Sequence, residues 1–352
     1  MTPSALTLAS MRPTVNALPS PVQLQHDFAL HPDAVAYMER QRQDINAIVQ
    51  GHDPRLLVVV GPCSLHDTDG ALEYGKHLSR LAPKLSDRLL IVMRAYVEKP
   101  RTTLGWKGLV YDPHLDGSHD LMEGLVRSRK LMVELVEAGL PLATEALSPM
   151  ISDYLQDLVS WTAIGARTTE SQLHREMASG LASAVGFKNG TDGHFGVALQ
   201  AMQASQAGHV FPSLSYCGRP EIRRTAGNPN VHLVLRGGRQ GPNYQRRFVQ
   251  EACTALSAEG LPSRVMIDCS HDNSQKDYRR QREVVVDVAG QLADGESGIM
   301  GVMIESYLRE GKQALACPLD YGVSITDGCL GWDETETLLQ VLHDAMEKRV
   351  CS

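Results

Sequence analysis

Eight short apolar runs recur along the chain, at residues 56–62, 89–96, 141–147, 161–167, 184–190, 232–238, 264–270 and 298–305. Amphipathic stretches lie between most of them, for example HDLMEGLVRSRKLMVELVEAG at 119–139. A short run rich in β-branched residues reads as a buried strand, and a longer stretch with apolar residues every three or four positions reads as a helix. Strands and helices in alternation argue for a parallel sheet, because each parallel crossover needs a connection long enough to return the chain. Eight such strands point to a closed (β/α)8 barrel; an open doubly wound sheet is the alternative that periodicity leaves standing. A length of 352 residues suits one barrel with insertions, and a 43% hydrophobic content can fill its core.

Three segments depart from the alternation. Residues 1 to about 35 hold several prolines and little periodicity, and read as an arm. DAVAYMERQRQDINAIVQGHD, at 33–53, reads as a helix closed by Gly51. GHVFPSLSYCGRPEIRRTAGNPNV, at 208–231, sets Gly, Pro and Asn around short apolar runs and reads as an inserted β-hairpin. The expected organisation is an arm and helix over 1–50, then the barrel over 51–352 with its hairpin near 208–231.

Composition removes several classes of function. The formal net charge is −7, so no global basic balance points to nucleic acid. No apolar run reaches the roughly 18 residues of a membrane span. The start, MTPSALTLASMRPTVNALPSP, lacks a charged segment followed by a continuous apolar core, and is a poor signal peptide. Seven cysteines without a CxxC pair favour reduced thiols, and with them a cytoplasmic location.

The carboxyl ends of barrel strands converge on one mouth, so the residues closing each run carry the chemistry. LLIVMRAYVEKPRT offers Arg94, Lys99 and Arg101; AIGART offers Arg167; AVGFKNGTDG offers Lys188; HLVLRGG offers Arg236. A single charge there is the ordinary polarity of a chain leaving the core. Four cation-bearing strand ends at one mouth require neutralisation, and the matching ligand is polyanionic, with phosphate or carboxylate groups. PLATEAL adds Glu145. A second set comprises Cys63 in VVVGPCSLHD, His271 beyond Asp268 in RVMIDCSH, Glu305 in GVMIESY and Asp327 in YGVSITDGC. Cys63 alone reads by default as a small core residue, with nucleophile and ligand as the alternatives, and Asp327 alone as a turn residue. Gathered at one mouth, thiolate, imidazole and two carboxylates suit a divalent transition metal: manganese, iron, cobalt or zinc.

The motifs GPCSLHD, MRAYVEKPRTTLGWKGLVYDPHLDGS, WTAIGARTTESQLHREMASGL, VGFKNGTDG, LRGG, MIDCSHDNSQKDYRRQ, GVMIESYLREG and YGVSITDGCLGW occur in this order. Together they resemble the class I 3-deoxy-D-arabino-heptulosonate-7-phosphate (DAHP) synthases, the microbial type with aromatic feedback, from about residue 35 to the C-terminus. The resemblance implies a (β/α)8 barrel, a required divalent metal and a homodimer or homotetramer. It also implies the reaction that opens the shikimate pathway: phosphoenolpyruvate, erythrose 4-phosphate and water give the seven-carbon sugar acid phosphate and inorganic phosphate. Both substrates are phosphorylated, which is the ligand chemistry the cationic mouth calls for.

Carried over by motif, the metal ligands are Cys63, His271, Glu305 and Asp327. Phosphoenolpyruvate is then held by Arg94, Lys99, Arg167, Lys188 and Arg236, with Glu145 and Ala166 lining its site. The stretch Lys99, Pro100, Arg101, Thr102 takes erythrose 4-phosphate, with Arg101 and Thr102 on its phosphate. Lys99 or His271 supplies the proton for the new alkoxide. EALSP, DCSHDNSQKDYRRQ and YGVSITD lean toward the tyrosine-inhibited members, and the implied effector wall includes Ser148, Pro149, Asp153 and Ala182. Two rivals stand beside this reading. Synthases that use arabinose 5-phosphate usually show KANRS where this chain has KPRTT. A catalytically dead sensor barrel is the other, and the complete ligand set argues against it.

Overall fold

The computed structural model describes residues 16–101, 103–316 and 318–351. Eight parallel strands close into a barrel: β1 Leu56–Gly61, β2 Leu89–Arg94, β3 Leu142–Glu145, β4 Trp161–Ile164, β5 Ala184–Lys188, β8 Val231–Leu235, β9 Val265–Asp268 and β10 Ile299–Glu305. Each lies within or one residue from an apolar run expected to form a strand. Around the ring, β1 pairs with both β2 and β10, and the two halves meet where β5 pairs with β8. The remaining strands, β6 Val210–Leu214 and β7 Pro220–Arg224, form the inserted antiparallel hairpin.

Alternation along the strands separates two cores. Leu57, Val59, Leu90, Val92, Ala143, Trp161, Ala163, Ala184, Val234 and Met266 belong to a cluster inside the barrel. Leu56, Val58 and Val60 belong to the larger cluster between barrel and helices. A register shift between Ile299 and Gly301 changes the phase of β10, which sends both Met300 and Met303 inward. Extending the same alternation places Arg94 two positions beyond Val92, Glu145 beyond Ala143, Arg236 beyond Val234, Asp268 beyond Met266 and Glu305 beyond Met303. Lys188 stands four positions beyond Ala184. These six residues form the top of the barrel interior, and all are buried.

The floor is supplied by sequence outside the barrel. Preceding it are two helices, α1 Pro21–Asp27 and α2 Pro32–Gln50. Ile45, Ile48 and Val49 of α2 join the interior cluster and close the barrel at the end opposite the mouth. Gly51 ends α2 with φ of 82°, a conformation that favours glycine. Arg264, just ahead of β9, donates to the Ile48 carbonyl at 2.6 Å, which caps α2 and ties it to the barrel. Helix α1 lies in the segment expected to be an arm without periodicity. Its signal was capping chemistry instead: Ser20 accepts from the Gln23 amide, and Pro21 occupies the first turn. The Val22 amide donates to the Tyr216 carbonyl at the hairpin turn, and Tyr154 donates to the Pro19 carbonyl.

Lower in the interior, Trp161 donates its indole N–H to His232 Nε2 at 3.2 Å, and His232 has no exposure. Burial lowers its pKa from the ordinary 6.5 to about 3. The folded protein therefore keeps His232 neutral while the unfolded chain takes up a proton near pH 6.5. This contribution to stability is complete above that pH and is lost as pH falls toward 3. By about pH 4 the loss from this group is on the order of 3 kcal/mol. His232→Gln keeps an acceptor for Trp161 and is expected to flatten the acid-side fall in urea-unfolding free energy. An unchanged slope between pH 6.5 and pH 4 would contradict the assignment.

Candidate active site at the barrel mouth

Strand β1 delivers Cys63 to the mouth through Gly61 and Pro62. At Gly61, φ is 149° and a Cβ would sit 3.1 Å from the Arg94 amide nitrogen, so glycine lets β1 pass close to β2. Cys63 is fully buried. Its Sγ lies 2.7 Å from Lys99 Nζ and 3.4 Å from Asp327 Oδ2. Lys99 Nζ is also 3.4 Å from Asp327 Oδ2. Asp327 arrives from the loop after β10, which folds back so that the Leu330 amide donates to the Glu305 carbonyl at 2.9 Å. A ligand atom from each of Cys63, Glu305 and Asp327 lies within 4.8 Å of the others.

Glu305 is fixed from several sides. Arg94 Nη2 donates to its Oε1 at 3.0 Å, and Ser270 Oγ donates to Oε2 at 2.9 Å. Gln281 clamps its backbone, accepting from the Glu305 amide and donating to the Glu305 carbonyl. Arg94 also donates through Nε to the Pro62 carbonyl, and its guanidinium stands 3.9 Å from the Tyr96 ring centroid. Its Nη1 is buried without a hydrogen-bond partner.

A second knot lies beside the first. Asp268 Oδ2 is 3.0 Å from Lys188 Nζ and 2.9 Å from His271 Nδ1. Neither contact meets the geometry of an in-line hydrogen bond, so close approach rather than aligned donation links the three groups. His271 takes a left-handed backbone, φ 53°, in the turn that follows β9. Arg236 donates to Asp272 Oδ2 at 2.7 Å.

The charges sort into ionised acids and protonated bases. Burial opposes the charge on Glu305, but His271, Arg94 and Lys99 hold its pKa below the ordinary value. Burial likewise opposes the charge on Asp327; Lys99 and then His271 outweigh it and bring the pKa to about 2. Burial works against the Lys99 ammonium, and Cys63, Glu305 and Asp327 more than offset it. Burial, with Glu305 second, pushes the Cys63 thiol up to about 12. A divalent cation among these donors reverses the last effect, because coordination deprotonates a thiol. One soft thiolate, two carboxylates and a neighbouring imidazole fit the transition metals expected from the sequence.

The structure thus gathers three of the four expected metal ligands, and sets the fourth, His271, against Asp268 just outside the group. Arg94, Glu145, Lys188 and Arg236 stand buried in the mouth. Lys99 and Pro100 are half-buried, whereas Arg101 is exposed and donates to the Trp106 carbonyl. Thr102 lies outside the described residues. Beyond β4, Ala166 is half-buried and Arg167 exposed. Ser270, Gln281 and Tyr96 lie within the motifs read from the sequence but carry no assigned role there; each acts by holding a neighbour of the site, which residue type alone does not reveal.

A separate cavity of about 640 Å³ lies between α5 Pro149–Leu155 and the hairpin. Helices α3 Thr68–Leu81 and α4 Leu121–Glu137 precede α5 on the outer face. Pro149, Asp153, Phe211, Ser213, Tyr216 and Arg223 are among its walls, and none of the mouth residues is. Arg223 bridges the hairpin to α5, donating to both Asp153 carboxylate oxygens at 2.9 and 3.2 Å. Of the four residues expected to form an effector wall, Pro149 and Asp153 line this cavity. Ser148 instead caps α5, accepting from the Ile151 amide. Ala182 is exposed, one residue past the lining Leu181.

Comparison with known proteins agrees with this geometry. The family model described as DAHP synthetase I family matches residues 27–340. The Tyr-sensitive phospho-2-dehydro-3-deoxyheptonate aldolase of Escherichia coli K12 is 51% identical over 329 residues, covering 93% of this chain and 92% of that protein. The Phe-sensitive enzyme of the same organism is 49% identical over 337 residues, covering 95% and 96%. The solved phospho-2-dehydro-3-deoxyheptonate aldolase of Francisella tularensis SCHU S4 superposes with a TM-score of 0.94 at 42% identity, covering 96% of this chain and 99% of that one. The chain therefore belongs to the DAHP synthetase I family.

Proposed function

We propose that the two knots of charge at the mouth divide the work of DAHP synthesis. The reaction joins phosphoenolpyruvate to erythrose 4-phosphate with water and releases phosphate. The observation that carries the division is the convergence of Cys63, Glu305 and Asp327 beside the buried cations Arg94, Lys188 and Arg236.

Cys63, His271, Glu305 and Asp327 hold the divalent ion, which when bound supplies Lewis acidity to the aldehyde oxygen. Arg94, Lys188 and Arg236, with Arg167 and Lys99, bind the carboxylate and phosphate of phosphoenolpyruvate; Glu145 and Ala166 line its site. Pro100, Arg101 and Thr102 receive erythrose 4-phosphate, with Arg101 and Thr102 on its phosphate. The enol carbon attacks the aldehyde carbon, and the aldehyde oxygen takes a proton as the carbon–carbon bond forms. Lys99 is the better donor of that proton. Its ammonium stands among the thiol and carboxylates of the first knot, whereas His271 Nδ1 is engaged with Asp268. Water adds to the cationic carbon left behind. The bond from that carbon to the phosphate oxygen then breaks, and phosphate leaves.

The cavity at the hairpin is read as the site of an aromatic effector, with tyrosine favoured by the Tyr-sensitive relative. Helix α1 reaches the same hairpin through Tyr216, so an occupant of the cavity can bias the arm as well as the wall. Val210 and Ile222, both well exposed on the hairpin, suit burial against a second copy in a homodimer or homotetramer. No described helix is long and apolar enough to cross a membrane, and a cytoplasmic location fits the free thiols of the described residues.

Phosphate release should vanish in EDTA and return with manganese, and Cys63→Ala should lower turnover by about 100-fold while leaving the circular dichroism spectrum intact. Full activity after exhaustive chelation would overturn the metal assignment, and a preference for arabinose 5-phosphate would overturn the substrate. Arg167→Ala is expected to raise KM for phosphoenolpyruvate by about tenfold or more, and unchanged kinetics for both substrates would place Arg167 outside the site. Millimolar tyrosine should inhibit the full chain, and deletion of residues 1–30 should blunt that inhibition. Inhibition by phenylalanine or tryptophan alone would refute the choice of tyrosine, and full sensitivity of the truncated chain would remove the arm from the switch.

A further inference from the structure

Asp268 ends β9, and its side chain has no exposure. One oxygen, Oδ2, lies 2.9 Å from His271 Nδ1 and 3.0 Å from Lys188 Nζ. The other, Oδ1, accepts from the Ser270 amide at 3.0 Å. Ser270 in turn donates its hydroxyl to Glu305 Oε2. Asn273 spans the neighbouring strand ends, donating to the Leu235 and Asp268 carbonyls at 3.1 and 2.8 Å. A wholly buried carboxylate costs several kcal/mol unless nearby groups compensate it, and packing alone favours an apolar residue above Met266. Here both compensating groups belong to the two functional sets, one on each side.

From this arrangement we infer that Asp268 is a positioning residue that couples the metal side of the mouth to its phosphoenolpyruvate side. The inference rests on the roles given above to His271 and Lys188. On the metal side, the Asp268 charge 2.9 Å from Nδ1 favours the tautomer with its proton on that nitrogen, which leaves Nε2 with the free lone pair that a metal requires. On the substrate side, the same oxygen holds the Lys188 ammonium at the rim of the interior, where it meets an anionic oxygen. Because a single oxygen serves both neighbours, loss of its charge loosens both together. Metal and phosphoenolpyruvate then bind with linked affinities.

The test is Asp268→Asn, which keeps shape and removes charge. In a variant with parental melting behaviour, manganese affinity measured by calorimetry should fall about 10- to 100-fold. KM for phosphoenolpyruvate should rise about tenfold or more, with the larger change in KM than in kcat. Unchanged manganese affinity with a raised KM would mean that Asp268 merely neutralises Lys188, and would overturn the coupling. Should Asp268→Asn fail to fold, nitrogen-15 spectra of histidine-labelled, zinc-loaded parent protein decide. A proton on His271 Nδ1 supports the inference, and a proton on Nε2 overturns it. A parent protein that binds no divalent ion would instead overturn the metal reading on which the inference stands.

Discussion

The buried pair between Arg94 and Glu305 is the constraint on which the mouth depends. The two residues end β2 and β10, the strands that flank β1, and their side chains meet at 3.0 Å with almost no exposure. The pair therefore reaches over the end of β1. It leaves β1 one way out, and Gly61 with Pro62 takes it. The Arg94 Nε bond to the Pro62 carbonyl fixes that exit and with it the height of Cys63. Ser270 and Gln281 then hold the carboxylate partner from the β9 side and from α9 Gln281–Ala293; α6 Gln172–Ala178, α7 Gly196–Gln206 and α8 Arg246–Ala258 precede it in the chain. Removing one member of such a pair leaves an uncompensated buried charge, typically about 3–5 kcal/mol.

That cost explains why charge and core are arranged in layers. Below the mouth, interior positions are apolar apart from the neutral His232, and the floor is sealed by Ile45, Ile48 and Val49 of α2. Among the described residues, ion pairs enter the interior only at the mouth, where three acids have a cation within reach. Arg94 answers Glu305, Lys188 answers Asp268, and Lys99 answers Asp327. An apolar replacement of these pairs would be no less stable in the barrel. Their presence is the mark of a site that must accept multiply charged ligands and keep its groups oriented while doing so.

Much of this was legible before any coordinates, because a barrel converts a simple period into a place. Strand alternation sends Arg94, Glu145, Lys188, Arg236 and Glu305 to one height, and the apolar runs before them announce the strands. Cys63 was legible through the glycine and proline that end its strand. What the sequence does not spell out is reach and sharing. Asp268 looks like one more polar strand end, and nothing local says that a single oxygen serves both Lys188 and His271. Gln281 and Ser270 act on Glu305 from residues distant in the chain. Ser148 and Ala182 read as effector wall; Ser148 caps α5 and Ala182 is exposed beside the lining Leu181, and motif proximity alone carries no direction for a side chain. Helix α1 escaped because a seven-residue helix is too short for periodicity and is announced only by Ser20 and Pro21.

The central claim is that one mouth holds a metal and phosphoenolpyruvate side by side. Anomalous diffraction at the manganese edge, from crystals soaked in manganese and phosphoenolpyruvate, tests it directly. The account predicts one dominant peak bonded to Cys63, His271, Glu305 and Asp327, with the phosphoenolpyruvate oxygens against Arg94, Lys188 and Arg236. A manganese peak away from Cys63, or phosphoenolpyruvate ordered anywhere but beside that peak, would contradict it.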